Sequence, residues 1–135
     1  MTDARYLAVK LLSKTFSSGS YSNIQLNSGL NSAELDERGR KLCSAVYYGV
    51  IERKITLDHI ISGLSSRPLG KLDDIVLNIL RCGIYQILYM DRVPAAGAVD
   101  EAVKVAKSVA NFGAAQLVNG VLRNFLRRQE EFQFP

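Results

Sequence analysis

The chain has 135 residues, 47% of them hydrophobic and 22% charged, with a formal net charge of +4. This length fits one domain with its own core, and the hydrophobic share excludes a disordered chain. No apolar run reaches the ~18 residues of a membrane span, and the N-terminus lacks the apolar core of a secretory signal, so we expect a cytoplasmic protein without a membrane partner.

Helical spacing of apolar residues dominates the first half of the chain. Asp3 is expected to cap a helix that runs to about Thr15, and the Ser- and Gly-rich stretch FSSGSYSN ends it. IQLNSGLN is predicted to form a short turn of helix and a loop. A long helix begins at Asn31 or Ser32 and runs through AELDERGRKLCSAVYYGVIERK, and TLDHIISGL forms a separate helix with Thr56 as its N-cap.

The second half of the chain is also helical. SSRPLGKL is predicted to be a loop because Pro68 disfavours helix at the residue before it. LDDIVLNILRCGIYQILYM is apolar on nearly all sides, as a central core helix would be. Gly83 in its interior costs about 1 kcal/mol against Ala, which close approach of a neighbouring helix would explain. Pro94 opens the helix PAAGAVDEAVKVAKSVA, NFGA is a loop, and the last helix covers Ala114 to Phe132.

These patterns contain no convincing strand alternation. The sequence therefore predicts an all-α fold of about seven helices, arranged as two packed small bundles, with the central helix in the core.

Residues that carry enzymatic chemistry are scarce. The single histidine, His59, cannot form a multi-histidine zinc site and is expected to be structural or at the surface. Gly-rich phosphate loops and nucleophile motifs are absent. The carboxylate pairs Asp73-Asp74 and Asp100-Glu101 fit helix capping or ion pairing, such as Asp100 with Lys104. The sequence therefore indicates a binding module, with no catalytic residue, metal site or cofactor in this chain.

Cysteines and tyrosines are assigned to the core by the same spacing. Cys43 and Cys82 lie among apolar neighbours and are expected to be buried thiols. Tyr47, Tyr48 and Tyr85 are expected to be mostly core residues, with base stacking as the less favoured alternative.

Several stretches together resemble the NusB-like family. They are ARYLAVKLL, YYGVIERKITLDHII, LNILRCGIYQILY and DRVPAAGAVDEAVKVAK followed by LVNGVLRNFLRR. The similarity extends over nearly the whole chain. It implies a helical RNA-binding domain with the NusB-like fold.

Within that family the sequence is more similar to the small-subunit rRNA cytosine-C5 methyltransferases (RsmB, Sun or Fmu) than to free-standing NusB factors. Three motifs carry this similarity: GxYQxxY, matched by Gly83, Tyr85, Gln86 and Tyr89; Arg67-Pro68; and VNGVLR at 118–123. Free-standing NusB more often has Glu at the position of Gln86 and a non-basic residue at that of Arg123.

The resemblance implies that residues 1–135 form the N-terminal RNA-binding domain of a longer enzyme that modifies 16S rRNA. Its catalytic domain, joined in the same polypeptide after a linker that begins near FQFP, would be Rossmann-like. That domain would use S-adenosylmethionine and a Cys nucleophile on cytosine, so this chain alone would be no enzyme. Two alternatives stay open: an antitermination factor that binds RNA with a ribosomal-protein partner, and a helical protein-interaction module.

Charge is unevenly distributed, because two stretches, Ala4–Ala33 and Ala102–Gln129, contain no Asp or Glu and supply eight of the seventeen basic residues. This asymmetry favours a nucleic-acid partner. The predicted RNA-binding residues are Arg5, Lys10, Lys14, Arg123, Arg127 and Arg128. The three cations of the first helix are candidates for the same surface as the arginines of the last helix. Among these three, Arg5 ranks first because the resembled family carries an N-terminal Arg there.

On the last helix, Asn119, Arg123 and Arg127 are four residues apart and form one stripe. Arginines on such a face can bind phosphate groups with two hydrogen bonds or stack on unpaired bases. The alternative is a solvated face in which Arg127 pairs with Glu130 or Glu131. Asn119-Gly120 is expected to be structural, with Gly for close packing and Asn for a backbone hydrogen bond.

Overall fold

The computed structural model describes residues 3–18 and 23–132, with only the backbone described at 23–25 and 32. These ranges contain six α-helices: α1 (Ala4–Ser18), α2 (Asn23–Ser32), α3 (Glu37–Leu64), α4 (Asp74–Tyr89), α5 (Ala95–Val109) and α6 (Phe112–Arg128). Short 3₁₀ turns cover Leu69–Lys71 and Gln129–Glu131, and the described ranges contain no strand. The all-α prediction is confirmed, with one helix fewer than expected.

The helices form two groups that share α4. In the first group, α1 packs against α3 and α4, and α2 lies on α1 and α3. In the second, α5 and α6 pack against each other, and both contact α4. The central position of α4 follows from its sequence, which is apolar nearly all round. Ile79, Leu80, Gly83 and Ile84 are buried as predicted, and Ile87 is half-buried.

The main error of sequence reasoning concerns α3. It is one continuous helix of 28 residues rather than two helices. Its N-cap is Asp36, whose carboxylate accepts from the Gly39 amide at 2.8 Å, and not Asn31 or Ser32. Thr56 lies in the helix interior and is no cap. No Gly or Pro occurs in the turns directly before and after Thr56, so the backbone hydrogen bonds of α3 continue through it.

Three other boundaries are instructive. Asp3 caps α1 as predicted, since its carboxylate accepts from the Arg5 amide at 2.7 Å. α2 is a ten-residue helix where only a short turn was expected. α6 begins at Phe112, because the Asn111 side chain accepts from the Ala114 amide at 2.8 Å and caps it, so NFGA is no loop. The predicted break FSSGSYSN covers 16–23, but α1 continues to Ser18 and α2 begins at Asn23. Residues 19–22 and most of the predicted linker, 133–135, lie outside the described residues.

Two glycines let helices approach closely. A Cβ added at Gly83 would lie 3.0 Å from Leu122 Cδ1 of α6 and 3.8 Å from Ala102 Cβ of α5, which confirms the predicted close contact. A Cβ at Gly49 of α3 would overlap the ring of Tyr85 on α4. The motif residue Tyr85 thus fills the space that Gly49 leaves.

Burial of the cysteines and tyrosines agrees largely with expectation. Cys43 and Cys82 are buried free thiols. Tyr47 is fully buried, and its hydroxyl lies 2.8 Å from the Thr15 hydroxyl. Tyr85 is half-buried, whereas Tyr48 is 44% exposed and is not the core residue expected.

Candidate nucleic-acid interface

The solvent-facing side of α6 is where the predicted arginine stripe lies. Ala115, Val118, Val121, Leu122 and Phe125 of this helix are buried. Leu117 is half-buried, whereas Gln116, Gly120, Arg123 and Arg127 are exposed. The predicted division of α6 into a core face and a basic face is therefore confirmed.

Arg123 is oriented by two neighbours. Its Nε donates to Oδ1 of Asn119 at 2.9 Å, one turn back along α6. Its Nη2 lies 3.7 Å from Oδ1 of Asp100 on α5, in an ion pair with both side chains about half exposed or more. Asn119 therefore holds the arginine side chain rather than a backbone group. A pair this exposed contributes little stability, so the guanidinium stays accessible to an anion.

The predicted pairing of Asp100 with Lys104 is wrong. Lys104 Nζ lies 3.4 Å from Glu101 Oε1 instead, while Asp100 faces Arg123. Asp100 and Glu101 both lie about one turn before Lys104, but Asp100 pairs with Arg123 of the neighbouring helix, and Glu101 is the acid that pairs with Lys104.

Arg127 and Arg128 differ in their surroundings. Arg127 Nη2 donates a long hydrogen bond, 3.4 Å, to Asn124 Oδ1, and no described carboxylate forms an ion pair with it. Arg128 donates from Nε to Glu131 at 2.9 Å, donates to the Gly63 carbonyl oxygen at 3.5 Å, and lies over the Phe132 ring. The expected carboxylate pairing therefore belongs to Arg128, which contacts the end of α3.

The register of the α5–α6 pair adds two lysines to this surface. Asp100 lies opposite Arg123, and Ala102 and Leu122 both approach Gly83. The two helices are antiparallel and rise equally per residue, so each step forward along α5 is matched by a step back along α6. Lys104 of α5 therefore lies at the level of 119–120 of α6, and Lys107 lies at the level of about 116.

We call Lys104, Lys107, Gly120, Arg123 and Arg127 the basic face. Lys104 and Lys107 are exposed. The sequence signal for these lysines was the acid-free stretch itself.

The predicted cations of α1 lie in different surroundings. Arg5 is half-buried, and its Nε donates to Gln86 Oε1 at 2.8 Å. The groove around Arg5 is also lined by the carboxylates of Asp3, Glu34 and Asp36. This makes Arg5 a link between α1 and α4, and its role in RNA binding stays a prediction.

Lys10 and Lys14 are exposed on α1, with Lys10 Nζ 5.8 Å from the centre of the Tyr6 ring. α1 packs on α3 and α4, whereas α6 packs on α5 and α4. The six predicted residues therefore lie on two helices that have α4 as a shared neighbour. A common surface for both sets stays a prediction.

Gly120 does not have the predicted packing role. It is exposed, and a Cβ added there would meet no atom within 4 Å. Glycine in a helix interior is about 1 kcal/mol less favourable than Ala. Packing among the described residues therefore gives no reason for glycine at this position.

Chemistry for metal or cofactor binding is not found in the part of the chain that the structure describes. Among these residues there is no group of three or more His, Cys, Asp or Glu side chains placed to hold a metal ion. The described ranges also contain no strand, and so no strand-to-helix phosphate loop that S-adenosylmethionine would fit. None of the described helices is both long enough and apolar enough to cross a bilayer.

Comparison with known proteins decides the family. The sequence profile of the NusB family matches residues 2–127. The chain belongs to the NusB family. A transcription antitermination protein NusB from Ruminiclostridium cellulolyticum is 35% identical over 88% of this chain and 83% of its own length.

Two further relatives of this NusB-family chain are much longer than it. Probable ribosomal RNA small subunit methyltransferases B from Synechocystis sp. and Bacillus subtilis are each 36% identical, over 97% and 93% of this chain. The matches cover only 29% and 28% of those relatives. The chain is thus one NusB domain that spans less than a third of these methyltransferases, which supports the prediction that it is not catalytic on its own.

Solved structures show the same fold. The Thermotoga maritima NusB structure superposes with a TM-score of 0.79 at 21% identity, covering 92% of this chain and 88% of that one. A chain from the crystal structure of a plectonemic RNA supercoil gives a TM-score of 0.86 at 17% identity, covering 96% of each chain. At these identities the likeness establishes the NusB fold alone.

Proposed function

We propose that this NusB domain binds rRNA and positions it for an S-adenosylmethionine-dependent cytosine-C5 methyltransferase acting on the small-subunit rRNA. The catalytic domain would lie in the same polypeptide and would supply the cofactor site. The observation that carries the proposal is the basic face, where four cations from α5 and α6 share one solvent-exposed surface. Two acids lie within this surface, where Asp100 pairs with Arg123 and Glu101 pairs with Lys104.

The chemistry of the basic face suits a phosphate backbone. Arg123 and Arg127 present planar guanidinium groups that can bind phosphate oxygens in pairs or stack on an unpaired base. Lys104 and Lys107 add point charges along the neighbouring antiparallel helix α5. Contacts of this kind position a nucleic acid without reading its sequence. Such a surface fits a domain that holds RNA while another domain carries out the chemistry.

The methyltransferase relatives support this assignment. They match almost the whole NusB domain at 36% identity, and both are described as acting on small-subunit ribosomal RNA. By analogy, the remaining two thirds or more of such a protein would carry the catalysis. Cytosolic location and 16S rRNA as the target belong to this proposal.

A second candidate is a free-standing antitermination factor that binds RNA with a ribosomal-protein partner. The Ruminiclostridium NusB relative favours it, because the match covers 83% of that protein. Sequencing the gene downstream of this domain separates the two candidates. Continuation into a Rossmann-like methyltransferase domain supports the first, and a stop codon shortly after this domain supports the second.

The RNA-binding proposal is tested by fluorescence-anisotropy titration of labelled rRNA fragments at several salt concentrations. About four phosphate contacts should give a log–log salt slope near −3 to −4. Replacing Arg123 and Arg127 together by Ala should flatten the slope by about one to two units. Surface changes shift stability by only about ±0.5 kcal/mol, so circular dichroism should show a folded variant.

The matched control removes two exposed cations from the start of α3, Arg38→Ala with Lys41→Ala. This variant has the same net charge as the α6 variant but an intact basic face. It should keep nearly the wild-type slope. Equal losses in both variants would mean that binding follows net charge alone, and an unchanged α6 variant would remove the basic face from the proposal.

A further inference from the structure

Gly120 differs from the glycines that bring helices together. Gly49 and Gly83 leave room for Tyr85 and Leu122, and a Cβ at either would press on these side chains. At Gly120 the space above the Cα is open, although the residue lies in the middle of α6. Glycine is used where another backbone must come close. The described part of the domain supplies no such backbone at Gly120, which leaves a bound partner as the candidate to supply it.

The position of Gly120 indicates the chemistry of that partner. It stands one turn before Arg123 on the exposed side of α6, and the α5–α6 register places Lys104 beside it. Lacking a side chain, it leaves a shallow depression beside Lys104 and Arg123, which form ion pairs with Glu101 and Asp100 that an RNA phosphate would replace. A neutral helix would also fit a depression, but it would gain nothing from these cations. A chain that carries negative charge along its backbone fits both the depression and its surroundings.

We propose that the sugar–phosphate backbone of bound RNA makes its closest contact with α6 at Gly120. We call this contact point the seat. A ribose or phosphodiester group rests on the Cα of Gly120, while Lys104 and Arg123 bind the phosphates on either side. This inference rests on the proposed RNA-binding function and assigns the point of closest approach within the basic face.

Substitutions at Gly120 test the seat separately from substitutions that remove a charge from the basic face. Gly120→Ala should stabilise the free domain, raising its melting temperature by about 2–6 °C, because Ala is the better helix residue and finds open space. The same substitution should weaken RNA binding. Gly120→Gln should weaken it further, by about tenfold or more, because the longer side chain occupies the depression. Neither variant removes a charge, so the salt slope should stay at the wild-type value.

The matched control is Ala45→Gln, which adds a neutral side chain of the same kind to an exposed position of α3. Each variant is titrated with a fluorescein-labelled single-stranded oligoribonucleotide of mixed sequence and with a labelled rRNA hairpin, and melted by circular dichroism. Weaker binding by both Gly120 variants, with Ala45→Gln unchanged, supports the seat.

Three outcomes would overturn it, and they are distinguishable. If wild type binds and both Gly120 variants bind as tightly, the seat is wrong while the basic face stands. If Gly120→Ala lowers the melting temperature, the glycine serves the domain's own structure and the premise fails. If wild type shows no salt-dependent binding to either RNA, the proposed function falls and the seat falls with it.

Discussion

Nε of Arg5 donates a 2.8 Å hydrogen bond to Oε1 of Gln86, a residue 81 positions later in the chain. Gln86 is 2% exposed, and its Nε2 donates to the carbonyl oxygen of Cys82 at 3.0 Å. The Gln of the GxYQxxY motif therefore joins the start of α1 to the central helix α4.

Removing this link should destabilise the domain. Gln86→Ala leaves the charged Arg5 donor half-buried without its acceptor, so the free energy of unfolding should fall by about 1–3 kcal/mol. Gln86→Glu keeps an acceptor for Arg5 but loses the donor to Cys82, and should lie between Ala and wild type. Urea denaturation followed by circular dichroism measures both. A Gln86→Ala variant as stable as wild type would show that Arg5 finds water or another acceptor.

The ion pair between Asp58 and Arg81 offers a second test. Arg81 donates to both carboxylate oxygens of Asp58, at 2.7 and 3.0 Å, and its side chain is only 7% exposed. Asp58→Ala leaves a buried cation without its carboxylate and should cost about 3–5 kcal/mol of stability. Lys54→Ala removes the more exposed cation near the same carboxylate and should cost less than about 1 kcal/mol. Comparable losses in the two variants would contradict this ranking.

A third prediction concerns the contact between Gly49 and Tyr85. Gly49→Ala places a methyl group in the space of the Tyr85 ring, and overpacking of this kind costs about 1–3 kcal/mol. Adding Tyr85→Leu should restore part of that loss, because the shorter side chain frees the space. Chemical denaturation of both single variants and the double variant gives the coupling energy. Additive effects would mean that the ring moves aside without strain.

The fourth prediction is a pH dependence. Burial raises the pKa of Cys43 from its usual 9.0 to about 11, and burial raises the pKa of Cys82 further still. Between pH 9 and 11 the unfolded chain therefore loses thiol protons that the folded chain keeps. Stability should fall as pH rises through this window, by at most about 1.4 kcal/mol per pH unit and thiol.

Cys43→Ala isolates the contribution of that thiol, because the variant should lose less stability between pH 9 and 11 than wild type. Both thiols should also resist iodoacetamide in the folded protein at pH 8 and react once urea unfolds it. Rapid alkylation of the native protein would show that a thiol is accessible.

Helix type and core faces were predictable, because α4 is apolar nearly all round and therefore central, and the apolar spacing of α6 determines which of its sides is buried. The helix ends were less so. Asp36 and Ser32 are both acceptable caps by residue type, and only tertiary packing decides that α3 begins after Asp36 and passes through Thr56. The arginine stripe of α6 was predictable from its four-residue spacing. Its neighbours Asp100 and Lys104 were not, because the register between two helices depends on contacts such as those around Gly83.

The position of α4 has a consequence for how the domain unfolds. This helix supplies buried side chains to both bundles, so neither bundle has a complete apolar core without it. Loss of α4 would expose the inner faces of α1 and α3 together with those of α5 and α6. The domain should therefore unfold in one cooperative transition, and amide protons near Leu80 should exchange only through global opening.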